Sequence, residues 1–192
     1  MRPQYSAKLL IAVLALTACA DQSTAPAAIS TRLPDAAAAA TAGGSQVGFG
    51  FNGTAGVVIL TGGGSFNPAT ASNIVPSDTR AAGGGGFSCT ANVTAGPLAN
   101  CAAGEGVRWD SVQLLASTTF KCSATDIVRA AATGNRTAVL IADFYRAGDG
   151  NEDSFTAQMI VSEEDIAEDL PGVQNLWIQG VGCGAAIVNF SR

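Results

Sequence analysis

Histidine is absent from all 192 residues. That excludes Ser-His-Asp and Cys-His catalysis, histidine-ligated zinc or haem, and a side chain that titrates near neutrality. Lysine is nearly absent as well, with Lys8 and Lys121 the two in the chain. Lysine and arginine together number 10 against 15 acids, a net charge of −5. Nucleic acids and anionic surfaces are held through clustered cations, so the sequence predicts no nucleic-acid partner. The glycine runs "TGGGS" (61–65) and "GGGG" (83–86) lack the following Lys-Ser/Thr and the strand-to-helix setting of a phosphate loop. Nucleotide binding is therefore rejected.

What is present begins with an export signal. Arg2 and Lys8 precede the unbroken apolar run "LLIAVLALTA" (9–18), which ends in small residues. This is the layout of a secretory signal peptide over residues 1–18. It is shorter than the about 20 apolar residues a spanning helix needs. The four residues Leu16-Thr17-Ala18-Cys19 resemble the lipobox of bacterial lipoproteins. That resemblance implies cleavage before Cys19, a diacylglyceryl thioether on its sulfur, and a membrane as partner through the anchor. Two or more acyl chains give stable anchoring, each buried CH₂ contributing about 0.8 kcal/mol. Ala20 in the next position favours, by the same resemblance, the outer membrane or cell surface. Loss of Arg2 and Lys8 with the peptide moves the net charge from −5 to −7.

Residues 19–45 are rich in Ala, Ser, Thr and Pro, with no aromatic residue. Such a stretch buries too little apolar surface to offset its ordering entropy, so it reads as a disordered tether. Residues 46–192 are one domain's worth of chain. This body holds Cys89, Cys101, Cys122 and Cys183, an even number in an exported chain, which predicts two disulfides. No pair has the C-x₂₋₄-C spacing of a zinc site. Four cysteines allow three pairings. Cys101 lies in "AGPLANCAAGEG", a loop able to fold back on the run carrying Cys89, which favours Cys89–Cys101 and Cys122–Cys183. The local bridge closes a loop of about 13 residues, worth roughly 3 kcal/mol in the chain-entropy account. Alternation in "GFSCTANV" and "TFKCSAT" places Cys89 and Cys122 on core-facing sides of strands.

The period of the body is mostly two. "SFTAQMIVS" (154–162) sets Phe155, Ala157, Met159 and Val161 against Ser154, Thr156 and Gln158, while "TAVLIADFY" (137–145) is apolar on nearly both faces, as a doubly covered strand is. "VGFGFNG" sets Val47, Phe49 and Phe51 against Gly48 and Gly50. The phase slip in "VRWDSVQLLA" predicts a bulge near Asp110–Ser111. Runs such as "NGTAG", "GGG" (62–64), "AAGGGG" (81–86) and "AGDGNED" read as turns between short strands. The fold class is thus all-β, a single antiparallel barrel or sandwich. One short helix is predicted near 162–169, from Ser162 as N-cap, Asp165 three residues on, acids in the first turn and Pro171 as the stop.

Asp143, Gly148 to Gly150, Asp153-Ser154-Phe155 and "IQGVGCGAAIVNF" (178–190) together resemble secreted β modules of uncharacterised function. The resemblance covers about a third of the chain and implies a β fold without implying an activity.

Three places could hold chemistry. Asp149, Asn151 and Asp153 alternate as in a calcium loop, where oxygen ligands suit a hard cation. The EF-hand pattern fails, however, because Ser154 stands where glycine should turn the chain and Ile160 where glutamate should close the shell. A polar hairpin tip bonded to its own backbone is the simpler reading, so no cofactor is expected and calcium is the alternative. Asp110 and Asp143 could act as paired carboxylates on a glycoside if suitably spaced. Trp109 and Trp177 could stack on sugars but as the two tryptophans of the chain read as core. The expectation is an anchored envelope binding or structural module with an envelope protein or polysaccharide as partner. The alternatives are a barrel enclosing a small ligand and a carboxylate-dependent enzyme.

Overall fold

A computed structural model describes residues 45–74, 82–146 and 154–192. Cys19, the tether up to residue 44 and the calcium candidates Asp149, Asn151 and Asp153 lie outside the described residues. The chain is almost wholly strand: β1 (Val47–Ala55), β2 (Val58–Phe66), β3 (Ala82–Cys89), β4 (Arg108–Leu114), β5 (Ser117–Phe120), β6 (Arg129–Ala132), β7 (Thr137–Tyr145), β8 (Ser154–Ser162), β9 (Leu176–Ile178), β10 (Gly182–Gly184) and β11 (Ala186–Ser191). One 3₁₀ turn, Pro68–Thr70, interrupts them.

Nine strands form one antiparallel sheet in the order β10-β9-β8-β7-β4-β3-β2-β1-β11, and β5 and β6 pair separately. The large sheet curls nearly shut. β10 bonds to β9 while β11 bonds to β1, and the Thr54 and Gly56 amides donate to the Ala185 and Cys183 carbonyls at 2.9 and 3.0 Å. One stretch of chain, kinked at Ala185, thus joins both ends of the sheet. Of the two all-β alternatives, the molecule adopts the barrel.

Alternation decides which side chains enter. Phe49, Phe51, Phe66, Phe87, Trp109, Phe144, Leu140 and Met159 are sealed inside the barrel. Their rings stack or meet edge-on, as in Phe51–Trp109 at 5.8 Å and Phe87–Phe144 at 5.3 Å, contacts worth about 0.5–1.5 kcal/mol each beyond the area they bury. The Trp109 indole reaches across β3 and donates to the Thr61 carbonyl of β2 at 3.0 Å. That reach requires bare backbone beneath the ring. A Cβ on Gly62 would sit 2.6 Å from Trp109 Cζ2, and one on Gly85 would sit 2.0 Å from the Thr61 carbonyl oxygen. The runs 62–64 and 83–86 are accordingly strand interiors, where the sequence reading had turns. The β1–β2 reversal is made instead by Gly56 and Val57 alone.

The bulge falls between Ser111 and Gln113, one residue past its predicted place. The predicted helix near 162–169 does not form. Ser162 stays in β8, and its hydroxyl accepts from the Glu164 amide at 3.0 Å, while the Asp165 carboxylate accepts from the amides of Ala167 and Gln174 at 2.9 and 3.2 Å. Glu163 donates its amide to the Arg136 carbonyl, and Ile166 to the Gln174 carbonyl. Short polar side chains thus take the amides that a helix would pair internally. A helix of two turns has little stability of its own to compete. Two acids of the run, Glu163 and Glu164, pair at the surface with Arg136 at 2.9 and 3.1 Å.

Candidate functional site

β7 has a second apolar face. Val139 and Ile141 point outward there, beside Ile160 of β8 and Trp177 of β9. The β5–β6 hairpin lies over them and adds Phe120 and Ala131, producing a second, smaller core outside the barrel. Phe120 and Trp177 pack at 5.5 Å, and the Trp177 indole donates to the Lys121 carbonyl at 2.9 Å. The doubly apolar reading of 137–145 is therefore correct: one face belongs to each core.

Both disulfides have the favoured pairing, and they serve different cores. Cys89–Cys101 lies within the barrel core. Cys122–Cys183 ties the segment after β5 to β10, across 61 residues of sequence. Cys122 follows β5 rather than lying on it, so its predicted place on a core-facing strand side is corrected: it packs against the outer core. The hairpin's far end is held by Arg129. Its guanidinium, 9% exposed, pairs with Asp126 and Asp169 at 2.6 and 2.5 Å. Those hydrogen bonds hold both carboxyls below their usual range and raise the Arg129 pKa further.

Where the hairpin meets β8, β9 and the turn before β10, a groove of about 740 Å³ opens. Its walls include Phe120, Trp177 and Val181, and its polar side chains are Thr118, Thr119, Lys121, Ser123, Gln158 and Gln179. One end is closed by two glycine turns in backbone contact. Gly96 and Gly180 both have φ near +78°, and a Cβ on either would lie within 2.3 Å of the other's Cα. The amide oxygens of the two glutamines are occupied: Gln158 Oε1 accepts from the Thr118 hydroxyl, and Gln179 Oε1 accepts from the Gln158 amide at 3.1 Å. Each glutamine keeps its Nε2 donors free of partners among the described residues.

The predicted carboxylates do come together. Asp110 and Asp143 are direct partners across β4 and β7, beside Arg108 and Tyr145. Arg108 lies 3.7 Å from Asp110 and stacks 4.5 Å over the Tyr145 ring. A hydrogen bond to Asp143, aided by burial, raises the Tyr145 pKa. This cluster lies on the open outer face, with the Asp110 side chain 52% exposed. An open face neither excludes water nor holds a sugar ring, which general acid catalysis on a glycoside requires. Trp109 is sealed in the barrel and Trp177 is 4% exposed, so neither offers a free face for stacking.

Sequence reasoning missed the groove. Its signal was faint: Gln158 on the polar face of "SFTAQMIVS", and Lys121 as the one lysine besides Lys8. Comparison with protein families, with curated proteins and with solved structures finds no match for this chain.

Proposed function

We propose that this protein is an exported, lipid-anchored envelope component whose β body is a binding module without chemistry of its own. The observation that carries the reading is the division of space in the body. Side chains fill the barrel, while the roomy cleft lies outside it, between hairpin and barrel wall. Recognition therefore has its place on the surface. The lipobox Leu16-Thr17-Ala18-Cys19 supports the anchor. Two disulfides support an oxidising compartment, as in the bacterial periplasm or at the cell surface. An envelope protein or polysaccharide fits as the larger partner, since the acidic body disfavours polyanions.

Intact mass of the native protein, before and after reduction, tests this. The expected mass is that of residues 19–192 plus acyl chains, rising by the four hydrogens of two reduced bridges. A mass without acyl chains overturns the anchor, and free thiols overturn the oxidising compartment. Measured turnover of an envelope polymer overturns the absence of chemistry.

A further inference from the structure

The charge of the groove is opposite to that of the chain as a whole. The chain carries 15 acidic side chains, and none of those among the described residues lines the groove. What lines it instead is Lys121, the one lysine besides Lys8, together with the unpartnered Nε2 groups of Gln158 and Gln179. The one charged group of the groove is thus a cation, with the glutamine amide donors and the Thr119 and Ser123 hydroxyls beside it. The remaining wall is apolar, and its open part is supplied by Val128 and Val181 among others. A volume of about 740 Å³ falls within the roughly 300–1,000 Å³ of small-molecule sites.

The geometry points to a binding site for a small amphiphile with an anionic, acceptor-bearing head and an apolar body. Lys121 and the glutamine amides meet the head, because a carboxylate accepts from ammonium and amide donors and itself donates nothing. The apolar wall covers the body. A cationic chain would meet a like charge at Lys121. A short polar anion would leave the apolar wall wet. The inference deepens the binding-module reading and rests on it.

The test uses the full mature chain held in phosphatidylcholine nanodiscs, with empty nanodiscs as the blank. The probes are octanoate, octyltrimethylammonium and acetate, followed by the two indole N–H resonances. Trp177 borders the groove and Trp109 lies inside the barrel, so the two signals locate the ligand. Saturable octanoate binding that shifts Trp177 and leaves Trp109 in place is expected. Affinities at least tenfold weaker are expected for the other two probes. Lys121→Glu should weaken octanoate at least tenfold, and Lys121→Arg should retain it. The Lys121 side chain is exposed and its carbonyl alone is bonded to Trp177, so both variants leave the fold intact.

Equal affinity for octyltrimethylammonium, octanoate binding unchanged in Lys121→Glu, or a shift at Trp109 alone would each overturn the inference. So would the absence of octanoate binding. If that absence accompanies a lipidated, doubly bridged mass, the anchored-module reading stands and the groove's ligand class alone has failed.

Discussion

The two cores of this molecule are made of the same residue types and held together in different ways. The barrel core is continuous within a nearly closed sheet, and its largest members, Trp109, Phe66 and Phe144, are fully buried. Its disulfide, Cys89–Cys101, joins residues only 12 apart. The outer core has five buried members, Leu115, Phe120, Val139, Ile160 and Trp177. Two four-residue strands cover it. A hairpin of that size is marginal in water without further support, and here the support is Cys122–Cys183 and the Arg129 ion pairs. Closure makes the barrel self-sufficient, whereas the cover depends on its ties.

The sharpest way to break that contrast is to truncate one tryptophan from each core. Trp109→Ala should cost about 3–5 kcal/mol of global stability, read from urea unfolding. Trp177→Ala should chiefly accelerate amide exchange in β5 and β6. Equal global losses would mean that the two cores unfold as one.

Removing the covalent tie should come next in size. A Cys122→Ser/Cys183→Ser double variant loses a constraint of the class worth about 2–4 kcal/mol. The expected result is loss of exchange protection in the hairpin with the barrel amides still slow. A uniform rise across both regions would refute a separate cover.

Acid should then release the other tie. Asp126 and Asp169 have folded-state pKa values below their unfolded ones. Their stabilisation is therefore fully present above the ordinary Asp pKa of about 3.9 and is lost as pH falls through the depressed values. Hairpin protection measured against pH should fall in that window before the barrel's does. Arg129→Gln should already show the weakened hairpin at neutral pH and lose the acid step.

The smallest effect is expected on the open face. Asp110 and Asp143 oppose each other across β4 and β7, and like charges placed directly opposite disfavour the pairing. Asp110→Asn should leave the unfolding midpoint unchanged or slightly higher. A large loss would show that the pair holds something the barrel needs.

Much of the barrel was legible because a period of two is a local property. Val47, Phe49 and Phe51, the two-faced strand 137–145, and the phase slip before Leu114 all announced themselves from neighbours a few residues away. The cysteine pairing was legible for a similar reason on one side, since Cys101 sits in a loop close to Cys89 in sequence. The glycine runs misled because their cause is distant: Gly62 is bare beside the indole from position 109, and Gly85 beside the Thr61 carbonyl to which that indole donates. The acidic run misled likewise, since Arg136, Gln174 and Phe190, which bond its carboxylates or backbone amides, lie outside it. The groove was hidden altogether. It exists only where β5 folds back over β8 and β9, and polarity along either strand does not reveal that meeting.

The kinked stretch through Ala185 also sets an order of events. β1, the earliest described strand, finds its outer partner only in β11, the latest. Until those residues arrive, the backbone bonds along that side of β1 have no counterpart, and pairings so distant in sequence form slowly. A chain exported as proposed here would cross its membrane with the seam still open, and the barrel would lock only after the final strand had passed through.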